Sequence, residues 1–286
     1  MKIIECPRDA MQGLDEFIPT EGKAEYINQL LKVGFDTIDF GSFVSPKAIP
    51  QLRDTVAVLK KLDLSVSKSK LLAIVANTRG AEEAVQFDEI SYLGFPLSIS
   101  ETFQHRNTNK SIAEAMKTVE EIQWLCKKHK KTLVTYISMG FGNPYGDPYN
   151  QDILLKWAGE MAKRGIRIIS LADTVGLASP DQIKYALDTL IPEYRNVEIG
   201  VHLHSRADNW KPKFEAALNA GCKRFDGALK GIGGCPMAQD DLVGNMQTEL
   251  MIDLMNKKQV PIGINSQALQ ESLLLASQIF TDEVSV

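Results

Sequence analysis

The stretch that decides the fold reads RIISL at residues 167–171, IKYALDTL at 183–190 and VEIGVHLH at 197–204. The first and third runs are short, apolar and rich in β-branched residues, which is typical of buried strands. The middle run repeats apolar residues at the spacing of one helical face: Ile183, Ala186, Leu187 and Leu190. A strand, a helix and a second strand in this order predict two parallel strands of one sheet.

The same strand–helix rhythm runs along the whole chain. Eight runs have strand character: Lys2–Cys6, Thr37–Phe40, Leu71–Ala76, Glu89–Leu93, Thr132–Ile137, Arg167–Leu171, Val197–Leu203 and Arg224–Leu229. Eight repeats favour a closed barrel over an open sheet, and no Gly-x-Gly-x-x-Gly motif follows the first run. The sequence therefore predicts a single α/β domain over residues 1–286, with a (β/α)8 TIM barrel over about 1–255 and terminal helices over about 256–286.

Composition excludes several classes of protein. The 286 residues are 44% hydrophobic and 24% charged, with a net charge of −4 and no basic stripe, so nucleic acid is not an expected partner. No apolar run approaches the roughly 20 residues that span a bilayer, so no membrane partner is expected. The four cysteines have no paired spacing, and no apolar signal core precedes the first strand. These features predict a cytoplasmic protein in a reducing compartment.

Chemistry in such a barrel sits where the strands end, so polar residues at those positions are the candidates. The first strand is followed by Arg8, Asp9 and Gln12, for which a surface ion pair is the alternative reading. The seventh strand ends in His202 and His204, two of only four histidines in the chain. Side chains two apart on a strand share a face, so both imidazoles point the same way. This pattern favours a metal site over two core histidines bonded to neighbours.

Two further strand ends carry polar residues. The sixth predicted strand is followed by Asp173 and Thr174, and the second ends near Asp39 and Ser42. Asp173 could orient a histidine through its second nitrogen or help to bind substrate. Capping of a helix is the alternative for both acids.

The eighth predicted strand leads into the glycine-rich run GIGGCP at residues 231–236, which contains Cys235. Such a loop could close over a substrate and exclude water, although glycines there also fit a phosphate site. Asn245 follows at the predicted start of a helix. An inert thiol and a helix cap are the alternatives for these two residues.

If Asp9, His202, His204 and Asn245 converge, they offer two oxygens and two imidazole nitrogens. An octahedral Mg²⁺ or Mn²⁺ would keep two positions open for a chelating substrate, whereas Zn²⁺ prefers four ligands and is less favoured. Such a site suits cleavage of a carbon–carbon bond beside a metal-bound hydroxyl. Arg8 fits stabilisation of the resulting enolate, and Cys235 fits its protonation.

Five motifs occur in a specific order and carry a resemblance to a known family. They are PRD at 7–9 with Gln12, SFVSPK at 42–47, DTVG at 173–176, HLH at 202–204, and GIGGCP at 231–236 with Gly244-Asn245. From about residue 3 to about residue 250 the chain resembles the hydroxymethylglutaryl-CoA lyases, within the wider group of metal-dependent barrel lyases and condensing enzymes.

The resemblance implies roles for individual residues. The expected metal ligands are Asp9, His202, His204 and Asn245. The expected catalytic residues are Arg8 at the enolate, Cys235 as loop acid/base, His202 in proton transfer and Asp173 as a carboxylate of the site. The expected substrate-binding residues are Gln12, Asp39, Ser42 and Thr174. The implied reaction cleaves 3-hydroxy-3-methylglutaryl-CoA to acetyl-CoA and acetoacetate, as in leucine degradation, in a protein expected by analogy to be a homodimer.

Some residues depart from the family pattern. Ala10 stands for the usual glycine, Gly13 for an asparagine, and Asp39 for a glutamate. These changes affect which acyl group the protein accepts, so a lyase acting on another 3-hydroxyacyl-CoA is one alternative. A condensing synthase is a second, disfavoured by the Cys235 loop and the short C-terminal part. A non-catalytic metal- or acyl-CoA-binding protein is a third, disfavoured because binding alone needs neither Arg8 nor Cys235.

Overall fold

In the computed structural model, which describes residues 1–234 and 243–280, eight parallel strands close into a barrel in sequence order. The strands are β1 (Lys2–Glu5), β2 (Thr37–Ser42), β3 (Lys70–Ile74), β4 (Ile90–Ser98), β5 (Thr132–Ser138), β6 (Ile168–Asp173), β7 (Glu198–Leu203) and β8 (Arg224–Gly227). Each predicted strand is present, and the predicted (β/α)8 TIM barrel is confirmed.

The largest difference from the predicted strands lies in β4. The predicted strand ends at Leu93, and the residues Gly94 and Pro96 that follow are poor residues for the interior of a strand. In the structure β4 continues to Ser98 and pairs with β5 from Tyr92 to Ser98 without a break in register. Pairing with a neighbouring strand therefore outweighs the weak local preference of this segment.

Helices surround the barrel and connect its strands. They are α1 (Pro7–Gln12), α2 (Thr20–Leu31), α3 (Thr55–Leu59), α4 (Thr78–Ala84), α5 (Glu101–Thr108), α6 (Ile112–Lys128), α7 (Gln151–Lys163), α8 (Pro180–Glu193), α9 (Trp210–Asn219), α10 (Thr248–Lys257) and α11 (Ser266–Ile279). Helix α11 lies against α2, where the rings of Tyr26 and Phe280 meet edge to face at 5.7 Å. Within the described ranges, none of these helices is both long and apolar enough to cross a membrane.

Helix α8 illustrates how the sequence sets these elements. Ser179 accepts a hydrogen bond from the backbone of Gln182, and the Gln182 side chain accepts one from the backbone N–H of Ser179. This capping box contributes roughly 1 kcal/mol to the helix start. The residues buried against the barrel are those of the predicted apolar face: Ile183, Ala186, Leu187 and Leu190.

A buried carboxyl group ties the two ends of the barrel sheet together. Glu5, the last residue of β1, is fully buried and accepts hydrogen bonds from the backbone of Leu229 at 2.8 Å and from Thr248 Oγ1 at 2.7 Å. Glu5 thus joins β1 to the turn after β8 and to the first residue of α10. Burial raises the pKa of this carboxyl to about 8, against the opposing effect of its two hydrogen bonds.

Because of this raised pKa, we expect the stability of the protein to fall as pH rises. The Glu5→Gln substitution should make that fall smaller. Between pH 4.5, the ordinary value, and about pH 8 the folded protein holds a proton that the unfolded chain has lost. Stability contributed by this group is therefore complete below pH 4.5 and declines as pH rises to about 8. Each pKa unit corresponds to about 1.4 kcal/mol. Glutamine keeps an oxygen for Leu229 and can donate to Thr248, without titrating.

Thermal unfolding measured from pH 5 to pH 8.5 should show a smaller fall in Tm for Glu5→Gln than for the wild type. The variant should match or exceed the wild type at the alkaline end. Parallel curves for the two proteins over this range would contradict a neutral Glu5.

Candidate metal centre

The ends of β1 and β7 place the first candidate residues in one cavity at the barrel mouth. Pro7 opens α1 directly after β1, and its fixed φ suits the first helical position. Arg8 and Asp9 follow in the first turn of α1. His202 and His204 share a face of the chain at the end of β7, as predicted. All four side chains line the same cavity.

Three of the predicted metal ligands converge. Ligand atoms of Asp9, His202 and His204 all lie within 4.8 Å of one another, and the two histidine Nε2 atoms are 3.3 Å apart. The three residues are buried. Two imidazoles and a carboxylate gathered at this spacing form a donor set suited to a divalent cation.

Asn245, which follows β8 in the sequence, lies beside His204 and Asp9 because β8 pairs with β1 to close the barrel. It forms an isolated antiparallel bridge with His204, and its Nδ2 donates to Asp9 Oδ2 at 2.7 Å and to the Ile232 carbonyl at 2.9 Å. Its Oδ1 is buried and has no hydrogen-bond partner in the described part of the chain. An unpaired buried oxygen is costly, and an amide oxygen is a good ligand for Mg²⁺ or Mn²⁺. The residues present therefore fit a divalent cation.

The far side of each imidazole faces an acceptor. His202 Nδ1 lies 3.3 Å from Asp226 Oδ2, and His204 Nδ1 lies 2.8 Å from the carbonyl oxygen of Val243. If each Nδ1 donates its hydrogen there, both Nε2 atoms keep a lone pair for a metal. Both acceptors thus favour the same tautomer.

Charge within this group keeps Asp9 ionised. Burial would raise the pKa of Asp9, but Arg8 and the two histidines outweigh it and hold that pKa below its ordinary value. Burial lowers the pKa of His204, and neighbouring His202 lowers it further. An ionised carboxylate beside a neutral imidazole is the protonation state that metal binding requires.

The guanidinium of Arg8 is held by three neighbours. Its Nε and Nη2 donate to Asp39 Oδ2 at 3.0 and 2.5 Å, and its Nη1 donates to Asp9 Oδ1 at 2.8 Å and Gln12 Oε1 at 3.0 Å. Four of the five N–H groups of this arginine thereby have acceptors, and the described residues leave one Nη2 hydrogen without one. Arg8 also lines the cavity, so a fixed positive charge borders the space beside the metal ligands.

The predicted substrate-binding residues do not all reach the cavity. Gln12, Ser42 and Thr174 line it. Asp39 is fully buried behind Arg8 and is not among the lining residues that the structure describes. Burial raises the pKa of Asp39 to about 6, against the opposing charge of Arg8. The contact that the structure shows for Asp39 is with Arg8, so its predicted role in substrate binding stays a prediction.

Asp173 is likewise set back from the cavity. Its Oδ2 accepts from Lys213 Nζ at 2.8 Å, and its Oδ1 accepts from the backbone of Ala178 at 3.0 Å. Lys213 is buried and also donates to the backbone carbonyl of His204 at 2.9 Å. Asp173 is thus connected through Lys213 to the end of β7, and it is not among the described residues that line the cavity.

Sequence reasoning missed Lys213 and Asp226. Lys213 lies on the buried face of α9 beside Phe214 and Ala217, so a lysine within an apolar helical face was the available signal. Asp226 lies inside β8, where a charged residue among buried strand positions was the signal. Neither position identifies its partner, because both pairings span long distances in sequence.

The described part of the glycine-rich run, residues 231–234, packs directly on the candidate site. A Cβ on Gly233 would lie 2.7 Å from Asn245 Nδ2 and 2.8 Å from the backbone oxygen of Asp9, and its φ of +104° also favours glycine. This close approach explains a glycine at that position. Cys235, the predicted loop acid/base, lies outside the described residues.

Comparison with known proteins assigns the chain to a family. The family model described as HMGL-like matches residues 2–275. The chain belongs to the HMGL-like family. It is 32% identical over 263 residues to a hydroxymethylglutaryl-CoA lyase of Bacillus subtilis (strain 168), a match that covers 92% of this chain and 87% of that protein. It is also 30% identical to the mitochondrial hydroxymethylglutaryl-CoA lyase of Mus musculus, over 95% and 83% of the two chains.

Solved structures give the same result. An HMG-CoA lyase from Acinetobacter baumannii, in complex with coenzyme A and 3-methylmalate, superposes with a TM-score of 0.88 at 31% identity, over 97% of this chain and 90% of that one. The Bacillus subtilis HMG-CoA lyase gives a TM-score of 0.90 at 30% identity, over 97% and 92% of the two chains. The predicted resemblance is confirmed, and with it an enzyme of the lyase class in a divalent-metal-dependent family.

The convergence of ligands predicts that His204→Ala weakens metal binding. Removing one imidazole from a site of four protein ligands should raise the Kd for Mn²⁺ at least tenfold, as loss even of outer partners does. Mn²⁺ titration followed by electron paramagnetic resonance would measure this directly. His129→Ala is the matched control, because His129 follows α6 at the opposite end of the barrel and should leave the Kd unchanged. Equal affinity in wild type and His204→Ala would mean that the His202–His204 pair is not the metal site.

Proposed function

We propose that this protein cleaves 3-hydroxy-3-methylglutaryl-CoA to acetyl-CoA and acetoacetate, with Mg²⁺ or Mn²⁺ as its metal. The observation that supports this most is the gathering of Asp9, His202, His204 and Asn245 beside the fixed guanidinium of Arg8. The names of the relatives agree with this reaction, and the Acinetobacter baumannii structure contains coenzyme A. An acyl-CoA is therefore the substrate class that we assign.

The proposed metal ligands are the carboxylate of Asp9, the Nε2 atoms of His202 and His204, and the Oδ1 of Asn245. When bound there, a divalent cation would supply Lewis acidity that lowers the pKa of the tertiary hydroxyl of the substrate. The mix of carboxylate, amide and imidazole ligands, with no thiolate in this described group, favours Mg²⁺ or Mn²⁺.

The proposed reaction needs three events at the substrate. First, the hydroxyl loses its proton. Second, its oxygen forms the ketone of acetoacetate while the bond between the hydroxyl-bearing carbon and the thioester α-carbon breaks, and the electron pair of that bond passes to the thioester as an enolate. The enolate α-carbon then gains a proton to give acetyl-CoA. We assign this last proton to Sγ of Cys235, as the family resemblance implies. The resemblance also implies a part for His202 in proton transfer, but its two ring nitrogens are assigned here to the cation and to Asp226.

Arg8 is the residue that we assign to the enolate oxygen. Its orientation is set before substrate arrives by Asp39, Asp9 and Gln12, and the residues that the structure describes leave one Nη2 hydrogen for a ligand. Donors that are already aimed at a developing negative charge stabilise it without reorganisation. Asp39 is accordingly a positioning residue for Arg8, and Asp173 a positioning residue for Lys213 and the end of β7.

The cavity walls suit a branched acyl group with polar ends. Apolar side chains form one part of the lining: Val44, Ala48, Ile49, Ile74, Ala76, Pro96 and Ala172. Gln12, Ser42 and Thr174 add polar groups to the same lining, and Gln12 contacts both Arg8 and Asp9. We assign the apolar wall to the methyl-bearing carbon chain and the polar group to its carboxylate and hydroxyl.

The test is release of acetoacetate from 3-hydroxy-3-methylglutaryl-CoA by chelator-treated enzyme, with and without added Mg²⁺ or Mn²⁺. We expect activity only with metal, because the substrate hydroxyl is too weak an acid without it. Other 3-hydroxyacyl-CoA esters, assayed in parallel, serve as substrate controls. Metal binding without acetoacetate, but with cleavage of another ester, would contradict the acyl group; no cleavage of any ester would contradict the lyase reaction itself.

A further inference from the structure

A second carboxylate lies behind the metal ligands, inside the barrel. Asp226 on β8 has a fully buried side chain, and its Oδ2 lies 3.3 Å from Nδ1 of His202. Its Oδ1 has no hydrogen-bond partner among the described residues and lies 4.0 Å from Nε of Arg224. Asp226 therefore stands between the far side of a metal-binding imidazole and a buried guanidinium.

Arg224 links Asp226 to the opposite mouth of the barrel. It is fully buried, and its Nη1 donates to Glu198 at 3.2 Å, while Glu198 is paired with Lys2. A Cβ on Gly200 would lie 2.9 Å from both Cγ and Cδ of Arg224, so glycine on β7 makes room for this side chain. Charges of alternating sign thus run from Lys2 through the barrel to His202.

This arrangement has a specific consequence for the histidine. An imidazole that donates Nδ1–H to a carboxylate keeps its lone pair on Nε2, the nitrogen that faces His204 at 3.3 Å. The ring of His202 also meets Tyr136 edge-on at 5.8 Å, which limits its rotation. A buried carboxylate would be costly alone, but Arg224 partly compensates its charge.

We propose that Asp226 is a positioning residue that fixes the tautomer and orientation of His202 for metal binding, and that Arg224 holds Asp226 in place. The inference rests on the metal site of the proposed function and deepens it. It concerns how the protein orients His202 as a metal ligand, so it applies whichever acyl-CoA is cleaved.

The same histidine also belongs to a second group of side chains that could bind a cation. Cys6, His202 and Asp226 also bring ligand atoms within 4.8 Å of one another and could themselves hold a cation. A neutral imidazole has one lone pair, so binding there through Nδ1 would leave a hydrogen on Nε2. The tautomer of His202 therefore separates the two readings.

The test combines metal affinity with nitrogen NMR of histidine. In Mg²⁺-loaded enzyme labelled with ¹⁵N-histidine, only four imidazoles contribute, and His202 should show its proton on Nδ1. Asp226→Asn can donate as well as accept, so it should admit the other tautomer and raise the Kd for Mn²⁺ about 10–100-fold. Asp226→Glu should recover part of the affinity, and Arg224→Met should weaken binding in the same direction by a smaller factor.

Ser170→Ala is the matched control. Ser170 is buried on β6 in register with Tyr136 and Gly200, so this variant also removes a polar atom from the barrel interior. Its Mn²⁺ affinity and histidine spectrum should match the wild type. An equal loss of affinity in Ser170→Ala and Asp226→Asn would overturn the inference in favour of general loosening of the barrel.

Other results would also overturn it. Wild-type Mn²⁺ affinity in Asp226→Asn would remove the positioning role while the metal site stands. A proton on Nε2 of His202 in the loaded wild-type enzyme would assign the cation to the Cys6 group. A wild-type protein that binds no Mn²⁺ at all would instead contradict the metal site of the proposed function, and with it the basis of this inference.

Discussion

Closure of the barrel between β1 and β8 is the constraint on which the site depends. The two strands pair in parallel over Lys2–Glu5 and Arg224–Gly227, and Cys6 continues the pairing by donating its backbone N–H to the carbonyl of Gly227. This brings the start of α1 against the segment after β8, so that Asp9 and Asn245 form a hydrogen bond across 236 positions of sequence. Glu5 reinforces the same seam from the side of α10. Without closure, the carboxylate and the amide would not meet the histidines of β7.

Electrostatic compensation is the second organising feature. Three buried acids surround the histidines, and each has a cationic neighbour: Asp39 has Arg8, Asp173 has Lys213, and Asp226 has Arg224. Buried charges persist in proteins when they are paired in this way. Asp9 is shared between Arg8, Gln12 and Asn245, and it still presents oxygen to the two imidazoles. Burying these charged groups costs free energy of folding, but it holds them in fixed positions. Fixed charges are what electrostatic stabilisation of a reaction requires.

Much of the fold could be predicted because its signals are local. Short apolar runs alternating with helical faces gave all eight strands, and the spacing of His202 and His204 gave the paired imidazoles. The extension of β4 could not be predicted, because pairing with β5 overrides the residues Gly94 and Pro96. Asp9, His202 and His204 could be predicted as candidate ligands because they follow strands, whereas the same role for Asn245 follows only from the family resemblance. The contacts of Asp39 and Asp173 with buried cations could not be predicted, since a carboxylate at a strand end gives the same sequence signal whether it faces the cavity or a buried cation. Asp226 and Lys213 escaped for the same reason, as their partners lie 24 and 40 residues away.

The metal site that we propose holds one cation between Asp9, His202, His204 and Asn245. Anomalous X-ray diffraction at the manganese edge, from crystals of the Mn²⁺-loaded enzyme, would locate that cation. We expect a strong anomalous peak within bonding distance of the Asp9 carboxylate, both histidine Nε2 atoms and Asn245 Oδ1. A peak beside Cys6 and Asp226, or one bound to His202 and His204 but remote from Asp9 and Asn245, would contradict it.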